Sequence, residues 1–351
     1  MPGLVHRIWW GRGLLWRVIR ATLRPFSWLF GLGVALRRLA YATGIFSIQG
    51  ASLPVISVGN ISSGGSGKTP LVIWLVLGLR NRGLVPAVVS RGYGGGHRGP
   101  RLVSDGGEDE AAADEALLVA QRCACPVATG VDRTAACRLI VRHTEAEVVV
   151  LDDGFQHRSL RRDLDLVLLS PGDKEAALLP AGPLREPVAA LSRADYVLSA
   201  EPEGGEIGIR RRPLGLVSRV SSEDVERPPA SLANKAVVAV CAIANPASFF
   251  AMLEACGTRI VQTLEYPDHH AYGEHDIGEI AAAASTDTTV VTTEKDLVKL
   301  GGRLPPSVEL LALRITIDVD GGETLLDQIV NRLDLENWGQ HHRGSCEGSA
   351  G

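Results

Sequence analysis

The densest chemistry in the chain is a glycine- and serine-rich run that ends in Gly-Lys-Thr. Residues 54–70 read Pro-Val-Ile-Ser-Val-Gly-Asn-Ile-Ser-Ser-Gly-Gly-Ser-Gly-Lys-Thr-Pro. Val55–Val58 predicts a β-strand and Lys68 onward a helix, with Asn60, Ser62, Ser63, Gly64, Gly65, Ser66 and Gly67 turning between them. Glycines in such a turn let successive backbone N–H groups converge on phosphate oxygens, and the helix N-terminus adds partial positive charge there. Lys68 would reach the β- and γ-phosphates and the Thr69 hydroxyl would meet Mg²⁺. Against the G-x-x-x-x-G-K-[ST] template, Ser62 stands where the first glycine belongs. Pro70 fits the first helical turn, whose N–H groups have no intrahelical partner.

A second element completes that chemistry. Glu147–Arg158 is an apolar strand running into Asp152-Asp153-Gly154. Carboxylates at the C-terminal end of a parallel strand stand where ligands bind and where an acid can hold Mg²⁺. Residues 267–276, Pro-Asp-His-His-Ala-Tyr-Gly-Glu-His-Asp, bring three histidines among acids. They admit a zinc reading as well as an acid–base one. Asp114, in a helical stretch with Glu115, reads on its own as a solvated helix-face acid. Thr293-Glu294-Lys295-Asp296 follows a strand and could frame a nucleotide base or a domain cleft. Its adjacent Lys and Asp do not match a guanine-reading element.

The elements that must position these groups follow from hydrophobic periodicity. Short β-branched runs at Val55–Val58, Val85–Ser90, Val127–Thr129, Val148–Leu151, Leu164–Leu169 and Tyr196–Ser199 alternate with helical stretches. That alternation predicts an α/β fold whose parallel sheet is flanked by helices. A phosphate-loop core is expected over 51–200, and a linker or hinge over 201–233 with one strand within it. A smaller α/β domain is expected over 234–334, with strands Ala236–Cys241, Arg259–Leu264, Thr289–Thr292 and Glu309–Ile317. Residues 335–351 read as a tail.

The chain is 351 residues long, 45% apolar and 22% charged, which excludes disordered, collagen-like and coiled-coil classes. Six cysteines show no paired metal-ligand spacing and read as reduced thiols. The net charge of −4 hides an asymmetry: residues 1–50 hold seven arginines and no acid, leaving 29 basic and 40 acidic residues elsewhere. Four of the six tryptophans, Trp9, Trp10, Trp16 and Trp28, also lie there. Arginine with Trp, Leu and Phe is the composition of a helix lying in a membrane interface. Its longest charge-free run, Pro25–Leu36, is 12 residues, short of the roughly 20 that a spanning helix needs. Competing readings are an Arg-rich transit peptide and an amphipathic helix packed on its own domain.

Taken together, Gly59-Asn60 with the Lys68-Thr69-Pro70 loop, Ser90-Arg91-Gly92-Tyr93-Gly94, Asp114-Glu115, Asp152-Asp153-Gly154-Phe155-Gln156-His157-Arg158, Leu184-Arg185-Glu186-Pro187, Asp268-His269 and Thr293-Glu294-Lys295-Asp296 resemble the tetraacyldisaccharide 4'-kinase family. The resemblance runs from the basic N-terminus to about residue 317, with the motifs in the family's order. It implies ATP- and Mg²⁺-dependent transfer of the γ-phosphoryl group to the 4'-hydroxyl of an acylated glucosamine disaccharide 1-phosphate in lipid A biosynthesis. It also implies a peripheral location on the cytoplasmic face of the bacterial inner membrane. No nucleic-acid partner is expected, and protein partners are not legible.

The same resemblance assigns roles. Asp114 and His269 would be the catalytic pair beside Lys68, with His270 as an alternative to His269. Asp152, Asp153, Glu186 and Thr69 would surround magnesium. Arg91, Tyr93, Arg133 and Arg185 would contact substrate or phosphate. Ala242 stands where the family usually has glycine. Two rivals compete: a P-loop switch ATPase that binds membrane or a protein partner without phosphorylating a small molecule, and a non-catalytic nucleotide-binding scaffold. Switch ATPases carry a signature lysine where this chain has Ser63.

Overall fold

A computed structural model describes residues 4–64, 67–92, 99–103, 114–220, 223–284 and 288–333. Its strands are β1 (Val55–Gly59), β2 (Pro86–Ser90), β3 (Arg101–Leu102), β4 (Val127–Thr129), β5 (Val148–Asp152), β6 (Leu164–Leu169), β7 (Tyr196–Ser199), β8 (Ile207–Val220), β9 (Glu223–Arg227), β10 (Ala236–Cys241), β11 (Arg259–Glu265), β12 (Thr288–Thr293) and β13 (Leu310–Val319). The helices are α1 (Leu4–Trp10), α2 (Leu14–Ala42), α3 (Lys68–Arg80), α4 (Asp114–Cys123), α5 (Arg133–His143), α6 (Pro246–Ala255), α7 (Glu274–Ala283), α8 (Glu294–Leu300) and α9 (Gly322–Leu333).

Two parallel sets of strands share one sheet, ordered β11-β10-β12-β13-β8-β7-β6-β1-β5-β2-β4-β3, with β9 paired to β8 off this path. Every residue of β1, β2, β5 and β6 is buried. That is why these strands read as continuous apolar runs rather than alternating ones: helices cover both faces of a parallel sheet.

The stretch 201–233, expected as a linker with one strand, carries two strands instead. β8 pairs parallel with β7 on one side and antiparallel with β13 on the other, so it joins the two sets. Arg210-Arg211-Arg212 and Pro213 obscured its pattern. The register slips between Arg314 and Ile315 of β13, opposite Gly215 and Pro213, and a bulge is where a strand tolerates proline.

The last helix also departs from the linear order. Although α9 follows the smaller unit in sequence, Leu325, Leu326, Ile329 and Leu333 are buried in the core that contains α3. Each such side chain contributes about 1.5–3 kcal/mol of burial. Gly78 of α3 makes the approach possible, since a Cβ there would stand 2.5 Å from Leu326 Cδ1. Arg82 clasps the same helix through Glu323 at 2.9 Å and Asp327 at 2.7 Å.

The N-terminal 29-residue helix α2 touches the body along a narrow line. Ser27 Oγ donates to Leu178 O at 2.8 Å and accepts from Ala181 N at 3.1 Å, and Arg37 Nη2 donates to Gln156 O at 3.1 Å. Away from that line, Leu14, Leu15, Val18, Phe26, Trp28, Leu29, Leu32, Leu36 and Leu39 are all exposed. No helix among the described residues is long and apolar enough to cross a membrane.

Candidate active site

Strand register builds the phosphate side of the site. β1 and β5 are parallel neighbours, with Val58 opposite Asp152, so the loop leaving β1 and the acids ending β5 emerge at one edge. Gly59 cannot be larger, because a Cβ would meet Phe155 Cβ at 2.5 Å. Gly67 caps α3 with φ 77°, a left-handed conformation that glycine adopts without strain. Lys68, the first residue of α3, then stands 3.2 Å from Asp153 Oδ1, and its Nζ donates to Asn60 Oδ1 at 3.3 Å. Asn60 is itself fixed by Gln156, whose Nε2 donates to the Asn60 carbonyl at 2.6 Å.

The two strand-end acids differ in electrostatic state. Burial pushes the Asp152 carboxyl up to about 7, helped by the nearby charge of Glu115 and opposed by Lys68. Burial also works to raise Asp153, but Lys68 and Arg185 outweigh it and hold that carboxyl below its ordinary value. Asp152 Oδ1 is buried without a hydrogen-bond partner. A desolvated, anion-crowded carboxylate lining the same cleft as a threonine is a hard-oxygen donor set that suits Mg²⁺. Asp152, Asp153 and Thr69 all line the cleft.

The opposite wall comes from the second set of strands. A cleft of about 670 Å³ is lined by Lys68, Thr69, Arg91, Asp152, Asp153 and Arg185 on one side and by Asn245, Phe249, Asp268, His269, Lys295 and Ile315 on the other. Ile243, Phe249, Met252, Leu313 and Ile315 give that wall an apolar stretch that a flat base can cover.

Asp114 opens α4, and its Oδ2 lies 3.8 Å from His269 Nδ1 across the gap between the two sets. His269 sits at φ 62°, a strained conformation for a residue with a side chain. Burial works to raise the Asp114 carboxyl, but His269 and Lys299 together hold it below its ordinary value. His270 turns elsewhere and meets Asp276 Oδ2 at 2.9 Å. The histidines therefore do not converge: only His275 stands in a metal-spaced cluster, with Asp276 and Glu279, among the described residues.

The remaining sequence candidates fall at different distances from this centre. Arg185 meets Asp153 Oδ2 at 3.0 Å, and its Nε donates to Ser63 Oγ at 3.1 Å. Arg91 is exposed and lines the cleft. Ser62 turns out of the loop and donates to the buried Asp173 carboxylate at 3.1 Å. Arg133 is buried behind the acids, where Nη1 donates to Gly130 O at 3.2 Å. Glu186 does not line the cleft; Arg193 and Arg158 hold its buried carboxylate. Gly65, Ser66 and Tyr93 lie outside the described residues, as does the 335–351 tail. Ala242 fits its turn: it is buried, and its N–H donates to Asp296 Oδ2 at 3.0 Å.

Several cleft residues had no role of their own in the sequence reading. Arg211 of β8 lays its guanidinium against Gly67, where a Cβ would meet Nη2 at 2.1 Å. Glu115 lines the cleft beside Asp152. Glu294, the second residue of the Thr-Glu-Lys-Asp motif, joins Arg122 at 2.7 Å and Arg314 at 2.8 Å, which ties α4 to the second set. The sequence signal for Arg211 was its basic run, and for Glu115 and Glu294 the motifs that contain them.

A phosphate loop and strand-end acids on neighbouring parallel strands define a P-loop phosphotransferase. The model of the LpxK family, tetraacyldisaccharide-1-P 4'-kinase, matches residues 19–334, and the chain belongs to that family. It is 38% identical to the tetraacyldisaccharide 4'-kinase of Aeromonas hydrophila over 96% of this chain and 98% of that one. Against the protein of the same name from Methylobacillus flagellatus, the identity is 41%, over 95% and 97% of the two chains. The crystal structure of LpxK from Aquifex aeolicus in complex with ATP is similar with a TM-score of 0.77 and 32% identity, over 90% of this chain and 99% of that one.

Proposed function

We propose that the protein is an ATP-dependent kinase that transfers the γ-phosphoryl group to the 4'-hydroxyl of an acylated glucosamine disaccharide 1-phosphate. The observation that carries this reading is the shared cleft: Lys68 and Asp152 on one wall face His269 on the other. A nucleotide spanning that cleft would lay its base on the apolar wall and its phosphates on the loop.

Phosphoryl transfer depends more on positioning and charge neutralisation than on covalent help from the protein. Lys68 offsets negative charge on the terminal phosphates. Arg185, and Arg91 at the cleft mouth, offer guanidinium forks to phosphate oxygens. Asp114 orients the sugar hydroxyl and takes its proton as the new O–P bond forms and the bond to the departing ADP breaks. His269 faces that carboxylate from across the gap, 3.8 Å away, and polarises it. Magnesium, held by Thr69, Asp152 and Asp153, would neutralise charge on the phosphate oxygens. Glu186 has a different part, because its carboxylate already pairs with two arginines.

The N-terminal helices support a membrane-side substrate. The exposed stripe on α2 recurs at helical spacing with arginines beside it, as expected of a helix lying at the cytoplasmic surface of the inner membrane. Burying one Leu or Phe gives about 1.5–3 kcal/mol, so several of them outweigh the loss of freedom on docking.

The test is the mass of the product formed from the acylated disaccharide monophosphate and Mg-ATP. A gain of one phosphate that disappears with Lys68→Ala supports the reading. ATP consumption without that gain would overturn it in favour of a switch ATPase.

A further inference from the structure

Helix α8 carries two lysines one turn apart, and both reach the acid–imidazole pair. Lys299 Nζ lies 2.6 Å from Asp114 Oδ2 and donates to the His270 carbonyl at 3.0 Å. Lys295 Nζ lies 3.2 Å from Asp268 Oδ1, 3.2 Å from His269 Nε2 and 3.6 Å from Glu115 Oε1. Asp114 and Glu115 open α4 in the phosphate-loop half, whereas residues 268–270 belong to the other half. His269 is too far from Asp114, at 3.8 Å, to hold it by a hydrogen bond. The short bond to that carboxylate comes from Lys299.

We propose that Lys299 is a positioning residue for phosphoryl transfer: its ammonium fixes the Asp114 carboxylate and, through the His270 carbonyl, the loop that presents His269. The inference rests on reading Asp114 as the group that handles the hydroxyl proton. An ammonium has three donors and no acceptor, so it can grip a carboxylate and a carbonyl at once, which a neutral side chain of that length cannot. Helix α8 thereby registers the two halves of the pair across the cleft.

The pairing also decides what kind of base Asp114 is. A carboxylate pinned by an ammonium is a weak proton acceptor. The transition state of phosphoryl transfer is loose and asks for little base strength. A carboxylate held still and ionised is then worth more than a strongly basic one. Around Asp114 the described charged groups are Glu115 on its own helix, Lys295 and Lys299 on α8, and Asp268 and His269 on the facing loop. Lys295 is shared between Glu115 and Asp268. Lys299 is thus the cation most directly committed to Asp114.

The experiment compares pH profiles of kcat and kcat/KM for Lys299→Met, Lys299→Gln, Lys299→Arg, Asp114→Asn and the Asp114→Asn/Lys299→Met double variant, with melting temperature reporting the fold. Loss of the ammonium should lower kcat by about 10²-fold, leave the KM for ATP unchanged and move the acid limb to higher pH, because burial is then opposed only by His269 and Lys295. Lys299→Arg, which keeps the charge, should keep the acid limb. The double variant should fall no further than Asp114→Asn. A normal kcat and acid limb in folded Lys299→Met or Lys299→Gln, with Asp114→Asn inactive, would overturn the role of Lys299 alone. Retained transfer by Asp114→Asn would instead overturn the proton-acceptor reading beneath it.

Discussion

Val58 of β1 and Asp152 of β5 are partners in the parallel register. One hydrogen-bonded pairing thus sets the phosphate loop, which starts just after Val58, beside the acids that follow Leu151. The 3.2 Å contact between Lys68 and Asp153 is its result. A shift of one residue would turn Asp152 to the other face of the sheet.

Replacing Lys68 with alanine removes the cation that faces both acids. Turnover should fall by about 10²–10³-fold, the usual loss when one charge-stabilising donor is taken from a phosphoryl or oxyanion site. Steady-state kinetics on the lipid acceptor checks this. A loss confined to the KM for ATP would mean that Lys68 serves binding alone.

Glu186→Gln should act on stability rather than on metal dependence. The carboxylate is buried and answers Arg193 and Arg158, and breaking a buried pair by removing one partner costs about 3–5 kcal/mol. The melting temperature should drop while the magnesium concentration for half-maximal activity stays the same. A large rise in that concentration at unchanged melting temperature would return Glu186 to the metal site.

His157 should make the fold acid-sensitive. Burial, with Arg133 and Arg162 nearby, depresses its imidazole from 6.5 to about 4. The unfolded chain therefore binds a proton between those values that the folded chain refuses. By linkage, this contribution is complete above the unfolded pKa and is lost as pH falls from 6.5 toward 4. His157→Asn should flatten the dependence of melting temperature on pH in that window, and an unchanged slope would assign it to other groups.

Trp28→Ser with Leu29→Ser should separate membrane docking from folding. Both side chains are exposed, at 73% and 65%, so the melting temperature should not change. Co-sedimentation with anionic vesicles should fall, along with turnover of vesicle-borne lipid. Undiminished vesicle binding would remove this face of α2 from the docking surface.

Local chemistry made the centre of the site legible. Gly67-Lys68-Thr69 after an apolar strand, and Asp152-Asp153 at the end of another, can be read because strand, turn and helix signals are carried by neighbouring residues. The basic, tryptophan-rich start of the chain was legible for the same reason: composition alone separates it from the acidic remainder. Ser62 and Glu186 were harder to read. Both sit inside motifs, yet Ser62 points to Asp173, 111 residues away, and Glu186 to Arg193 and to the distant Arg158, partners that lie outside those motifs.

By itself the sequence determined the α/β class, the phosphate loop, the paired acids and the presence of a separate amphipathic N-terminus, all features whose physical causes act over a few residues. Tertiary structure alone decided that β8 joins the two parallel sets into one sheet. It likewise decided that α9 returns to pack on α3 and that Lys299 reaches Asp114 from the other half. Those outcomes depend on strand pairing, close packing and long-range ion pairs, whose energies exist only after distant segments have come together.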